Sequence, residues 1–138
     1  MKFIDSSVFV AAAIEANPHF EASNRFLERQ PRREGCTSSH TLVETYSVLT
    51  RLPAGHRLTS MQAHAVIANW PLKLKIVALP AEETVRLLRE MAEIGIAGGR
   101  IYDALHARTA VYAGAAAVVT WNVKHFAGLE QGIEIETP

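Results

Sequence analysis

Residues 1–12 read MKFIDSSVFVAA, and this stretch indicates the fold. Phe3 and Ile4 predict a short buried strand that stops at a carboxylate, Asp5. A helix then begins near Ser7 with no intervening loop. Asp5 is therefore expected at the carboxyl end of a strand, the edge at which open α/β sheets bind their ligands.

Strands alternate with helices along the rest of the chain. Strands separated by helices predict parallel pairing, so we expect one domain over residues 1–138, of the α/β class. It would be a three-layer α/β/α domain with a central, mostly parallel sheet. The predicted strands cover about 2–4, 36–37, 74–80, 115–120 and 132–136. The predicted helices cover about 7–14, 19–29, 39–52, 60–70, 81–93 and 100–114. Pro71 is expected to end the fourth of these helices.

Two of these helices carry apolar residues at helical spacing, which predicts the faces that pack on the core. The third helix carries Leu42, Val43, Tyr46 and Leu49, and the fifth carries Val85, Leu87, Leu88 and Met91. On the first two helices, the apolar residues fit either the core or an interface; these are Phe9, Ile14, Phe20 and Phe26.

The composition is that of a compact folded protein. Apolar residues make up 49% of the 138 residues and charged residues 20%, and the net charge is zero. A nucleic-acid role would therefore need a local basic patch. The densest basic stretch, around 25–33, fits either such a patch or a solvated helix end.

Cys36 is the only cysteine, so an intrachain disulfide is impossible, and its context fits a small apolar residue in a strand. The N-terminus is a poor signal peptide, and no apolar run approaches the length of a membrane span. We therefore expect a cytoplasmic protein without a membrane partner.

Three acidic residues interrupt apolar contexts: Asp5, Glu44 and Asp103. Each has a local explanation, because Asp5 could cap a helix, Glu44 could close a capping box with Thr41, and Asp103 could pair with Arg100. Charged carboxylates near a core are costly unless paired or bound to a cation. Taken together, they are better explained as oxygen ligands of a hard divalent cation, Mg²⁺ or Mn²⁺.

Other kinds of site are excluded by their motifs. GIAGGR at 95–100 follows a helix where a dinucleotide fingerprint requires a strand, and no phosphate-binding GxxxxGK[ST] loop is present. The six histidines lack the spacing of a zinc site. An aspartyl phosphatase would carry a second aspartate at the position of Ser7.

Four motifs in order resemble the PIN-domain ribonucleases, and most closely the VapC-type toxins of toxin–antitoxin pairs. They are FIDSSVFVAA (3–12), SSHTLVETYSVLTR (38–51), GGRIYDALHARTA (98–110) and VVTWNVKHF (118–126). The likeness spans nearly the whole chain.

The resemblance implies that Asp5, Glu44 and Asp103 form the acidic metal site, with Asn122 at the fourth catalytic position. Many PIN domains have aspartate at the positions of Asn122 and His125. Because Asn122 brings no charge, the resemblance leaves open one tightly bound ion or two.

The same resemblance gives accessory roles to neighbouring residues. Ser6 and Thr120 would orient ligands or water. Arg100 would contact phosphate, or else form an ion pair within its helix. His125 is either a surface residue or a group for phosphate contact or proton transfer.

The implied activity is Mg²⁺- or Mn²⁺-dependent hydrolysis of phosphodiester bonds in RNA, such as transfer RNA or ribosomal RNA. The implied partners are a VapB-type antitoxin and a second copy of the chain. The alternatives are a PIN-like module that binds RNA or a partner without turnover, and a phosphatase or other small-molecule enzyme. The sequence itself does not choose between RNA and single-stranded DNA.

Overall fold

A computed structural model describes residues 1–129 and 132–138 of the chain. In this part of the chain, five strands form one sheet in which every pairing is parallel. The strands are β1 (Lys2–Ile4), β2 (Gly35–Ser38), β3 (Lys75–Val77), β4 (Ala117–Val119) and β5 (Glu134–Glu136). Their order across the sheet is β3-β2-β1-β4-β5, so β1 is central and β5 is an edge strand, as predicted.

Helices connect the strands. They are α1 (Ser6–Ala13), α2 (Phe20–Arg29), α3 (Ser39–Arg51), α4 (Ser60–Ala68), α5 (Trp70–Lys73), α6 (Ala81–Glu93), α7 (Arg100–Tyr112) and α8 (Val123–Phe126). No helix in the described ranges is long and apolar enough to span a membrane.

The sheet has a hydrophobic cluster on each face. Successive side chains of a strand point to opposite faces, so Phe3 and Ile4 belong to different clusters. Phe3 and Val118 pack with Leu87 of α6 and with α7. Ile4 packs with α1, α2 and α5, where Phe9 is fully buried against the core. The predicted three-layer α/β/α arrangement is confirmed.

The helix starts follow local capping chemistry. The side chain of Asp5 accepts the backbone N–H of Ser7 and caps α1, and Ser38 Oγ accepts the backbone N–H of Thr41 at 2.8 Å and caps α3. A helix start immediately after each strand places the ends of β1 and β2 next to the first turns of α1 and α3.

The prediction that Pro71 ends the fourth helix is wrong. Helix α4 ends at Ala68, and Pro71 lies in the first turn of the separate helix α5, which begins at Trp70. Proline is tolerated in a first turn because its missing N–H would have no partner within the helix there.

The predicted core face of α3 is partly wrong. Val43 is 66% exposed and Tyr46 is also exposed, whereas Thr41, Thr45 and Leu49 are buried. The threonines can be buried because their hydroxyls have partners: Thr45 Oγ1 donates to the carbonyl of Thr41 at 2.8 Å. Threonine therefore replaces a purely apolar residue at this face.

The predicted face of α6 is also partly wrong, since Val85 and Leu88 are exposed while Leu87 and Met91 are buried. Adjacent leucines therefore differ in burial: Leu87 is 1% exposed and Leu88 is 51% exposed. We expect Leu87→Ala to lower the free energy of unfolding by about 2–5 kcal/mol, because it leaves a cavity, and Leu88→Ala by less than about 1 kcal/mol. Urea denaturation of the pair measures this, and equal losses would contradict the assigned packing.

Candidate metal centre

The Asp5 carboxylate is fixed at the carboxyl end of the central strand. Its backbone N–H donates to the carbonyl of Val119 at 3.0 Å, which joins it to β4. The carboxylate is only 2% exposed. Its Oδ2 accepts the hydroxyls of Ser7 and Thr120, each at 2.7 Å, and its Oδ1 lies 3.1 Å from Nδ1 of His106.

Proton counting fixes the direction of these hydrogen bonds. A hydroxyl has one proton to donate, so when Ser7 and Thr120 both donate to Asp5, both oxygens are left as acceptors. The backbone N–H of Trp121 donates to Ser7 Oγ at 3.0 Å, and that of Asn122 donates to Thr120 Oγ1 at 2.9 Å. The loop after β4 is thereby tied to Asp5.

His106 links Asp5 to Glu44. It lies on α7, is 1% exposed, and has Nδ1 toward Asp5 while Nε2 lies 3.4 Å from Glu44 Oε2. One ligand atom from each of these three residues lies within 4.8 Å of the other two. Helices α3 and α7 and the end of β1 therefore converge at one point.

The pair of Glu44 Oε2 and His106 Nε2 fits a bound cation. Both atoms are buried, and neither has a hydrogen-bond partner among the described residues. If Nδ1 carries the ring proton toward Asp5, Nε2 and the Glu44 carboxylate are two acceptors that face each other. Either a second ring proton, which would pair His106 with both carboxylates, or a metal ion would supply the charge that these two buried atoms lack.

Asp103 lies apart from this group of three. Its Oδ2 is 3.7 Å from Nδ1 of His125, and its carboxyl is partly exposed. The alternative pairing with Arg100 is not found in the described ranges, and Arg100 instead donates to the carbonyl of Ala127 at 3.4 Å. His106 lies three positions after Asp103 on α7, so both side chains lie on the same side of that helix.

The two aspartates have opposite pKa shifts. Burial alone would raise the pKa of Asp5, but the hydrogen bond and charge of His106, with the hydroxyls of Ser7 and Thr120, bring it below its ordinary value. Burial raises the pKa of Asp103; the nearby His125 opposes this shift, and the negative charge of Asp5 adds to it. Asp103 therefore lies in the field of the Asp5 carboxylate.

Asn122 and Ser6 line a cleft that also contains Glu44. The side chain of His125 is 59% exposed, which agrees with its interpretation as a surface residue, although it faces Asp103. The capping-box alternative for Glu44 does not hold, since Ser38 is the N-cap of α3 and Glu44 lies beyond the first turn. The site assignment of Asp5, Glu44, Asp103 and Asn122 stays a prediction.

Two residues of the site were missed from the sequence. Ser7, and not Ser6, contacts Asp5. The spacing of the histidines matches no zinc motif, so that pattern gives His106 no role. Its position three residues after Asp103 was the available signal, since that spacing places both side chains on one side of a helix.

Cys36 is not a candidate catalytic nucleophile. It is buried in β2, and burial raises the pKa of its thiol to about 11. The thiolate is the reactive form, so this side chain is inert.

The sequence model of the PIN domain family matches residues 2–127. The chain belongs to the PIN domain family. Ribonuclease VapC40 of Mycobacterium tuberculosis is 40% identical to this PIN domain over 111 residues, which are 80% of this chain and 79% of VapC40. The family predicted from the four motifs is confirmed.

Solved structures share the fold of this PIN domain. Mycobacterium tuberculosis VapC20, a Sarcin-Ricin loop cleaving toxin, superimposes with a TM-score of 0.74 at 18% identity, over 92% of this chain and 94% of VapC20. VapBC2 of Rickettsia felis, bound to a DNA fragment from its promoter, gives a TM-score of 0.67 at 18% identity, over 99% of this chain and 98% of the matched chain.

The opposite pKa shifts can be measured directly, because Asp5 and Asp103 are the only aspartates in the chain. In metal-free protein labelled with ¹³C at the aspartate carboxyl, we expect two resonances, with Asp103 protonating at higher pH than Asp5. The Asp103→Asn variant assigns them. A common midpoint, or the reverse order, would contradict the described environments.

The same shifts have opposite effects on stability. The lowered pKa of Asp5 contributes stability above the ordinary aspartate pKa, and this is lost as the pH falls through its folded value. The raised pKa of Asp103 makes its ionised form unfavourable, a cost that falling pH or a bound cation relieves.

Proposed function

We propose that this PIN domain is a Mg²⁺- or Mn²⁺-dependent endoribonuclease and the toxin of a toxin–antitoxin pair, with residues 1–138 as one domain. The observation that carries the proposal is the convergence of the Asp5 and Glu44 carboxylates on His106, with one ligand atom of each residue within 4.8 Å of the others. In addition, Glu44 Oε2 is buried without a hydrogen-bond partner in the described part of the chain. The ribonuclease named VapC40, at 40% identity, supports the activity. The VapBC2 structure supports a partner of the antitoxin type.

The residues that would hold the cation are Asp5, Glu44 and Asp103. Such an ion would supply Lewis-acid chemistry, activating water and offsetting the charge that develops on the phosphate. The hydroxyls of Ser7 and Thr120 keep Asp5 ionised and oriented.

The substrate side of the site is the cleft that contains Glu44, Ser6 and Asn122. Ser6 and Asn122 offer neutral hydrogen-bonding groups there, so a phosphate meets fewer negative charges than it would with aspartate at position 122. Arg100 and His125 are not among the residues that line this cleft; both are exposed and His125 faces Asp103, so either can contact a phosphate.

The nuclease proposal predicts that Asp5→Asn abolishes cleavage. With total cellular RNA and Mg²⁺ or Mn²⁺, we expect discrete products from the wild type, none with EDTA, and a rate at least about 100-fold lower for Asp5→Asn, because the variant removes a charged ligand. Glu28→Gln, which removes an exposed charge on α2, is the matched control and should cleave normally.

Folded wild-type protein that binds RNA but gives no product with either metal would favour the second candidate, a binding module without turnover. The observation behind that candidate is Asn122, which stands where many PIN domains have a carboxylate. Binding that survives chelation would support it, because no cation would then be needed at the site.

The role of position 122 has its own test. Asn122→Asp adds a carboxylate to the cleft that contains Glu44, so we expect Mn²⁺ to bind about tenfold more tightly, since ligand charge governs the affinity for hard cations. Titration calorimetry of metal-free protein measures this, with Asn69→Asp, at the exposed end of α4, as the control amide. An unchanged affinity would mean that the side chain at 122 does not reach the ion.

A further inference from the structure

An aromatic wall lies beside the candidate metal centre. The cleft that contains Glu44 and Asn122 has a volume of about 390 Å³, within the range of about 300–1,000 Å³ found for small-molecule sites. His19 and Trp121 also line it. Neither aromatic residue has a role in holding a cation.

Trp121 is held in place through both of its N–H groups. Its backbone N–H donates to Ser7 Oγ at 3.0 Å, and its indole Nε1 donates to Ser23 Oγ at 2.8 Å. Ser7 also donates to Asp5, so the backbone of Trp121 and the carboxylate of Asp5 share a partner. An aromatic ring fixed in this way loses little conformational entropy when a ligand binds.

His19 stacks on this fixed indole. The two ring centroids are 3.8 Å apart and the planes are inclined by 11°. The backbone N–H of His19 donates to Asn17 Oδ1 at 2.9 Å, which fixes the turn before α2. Trp121 covers one face of the imidazole, and the residue remains exposed to solvent.

We propose that the His19–Trp121 stack is a platform for an unpaired nucleobase of the RNA substrate. The base lies on the exposed face of His19, and the adjoining phosphate enters the cleft that Glu44 and Asn122 line. Unpaired bases of RNA stack on aromatic side chains, histidine included. The net charge of the chain is zero, so general attraction to phosphates is weak and local contacts have to supply the affinity. This inference rests on the proposed ribonuclease function.

The test uses short single-stranded RNA that carries 2-aminopurine at successive positions, bound to the Asp5→Asn variant so that no turnover occurs. Stacking quenches 2-aminopurine fluorescence, and we expect quenching at one position. Adding His19→Ala should remove the quenching and weaken RNA binding by roughly 5- to 150-fold. His19→Phe should retain the quenching and the affinity, because it keeps an aromatic face. His64→Ala, an exposed histidine on α4, is the matched control and should have no effect.

A steady-state measurement on the otherwise wild-type enzyme is independent of the Asp5 variant. His19→Ala should raise KM with little change in kcat, and RNA made abasic at the quenched position should be insensitive to the substitution, because the base and the ring form one interaction. Unchanged binding and KM in His19→Ala, or His19→Phe as weak as His19→Ala, would overturn the platform. RNA that is quenched and bound by wild type but never cleaved would instead overturn the nuclease proposal and leave the platform in place.

Discussion

The buried carboxylate of Asp5 is the constraint on which the rest of the site depends. A charged group that is 2% exposed loses its hydration, and the fold offsets this loss with two hydroxyl donors and the ring of His106. Each of those partners comes from a different element: the start of α1, the end of β4 and the middle of α7. The hydrogen bonds to this one carboxylate therefore fix the relative positions of the start of α1, the end of β4 and the middle of α7.

This arrangement explains why the helix caps and the candidate site coincide. Asp5 caps α1 and also lies in the group of three potential metal ligands, so the local explanation holds for this residue and is compatible with the proposed functional one. For Glu44 the local explanation fails, because Ser38 is the cap of α3, and the buried Oε2 of Glu44 has no donor in the described ranges. A buried acceptor that has no partner in its own helix indicates a metal ligand more strongly than one that already caps a helix.

The sequence predicts the sheet and most helix limits well, because strand-end polar residues, prolines and glycines are local signals. It predicts the faces of helices less well. Val43 and Tyr46 are exposed on α3, whereas Thr41 and Thr45 are buried. A threonine can be buried when its hydroxyl forms a hydrogen bond, and the hydrophobicity of the sequence does not show whether that bond forms. The contact of His106 with Asp5 is not predicted for a related reason: 101 positions separate the two residues, so the contact forms only when distant segments are brought together.

The carboxylates at this edge of the sheet have different environments, and the difference has a chemical consequence. The Asp5 carboxylate accepts several hydrogen bonds and its pKa is lowered, so the orientation of its side chain is fixed without an ion. Glu44 and Asp103 have fewer hydrogen-bond donors. Glu44 Oε2 faces the unpartnered ring nitrogen Nε2 of His106, and burial makes the ionised form of Asp103 unfavourable. If an ion binds here as we propose, it would offset both the missing donor at Glu44 Oε2 and the unfavourable ionised form of Asp103. On that proposal, Asp5 would be the ligand whose position is already fixed, and Glu44 and Asp103 would be the two whose charges gain from the ion, so a chain of zero net charge can offer a local site for a doubly charged ion.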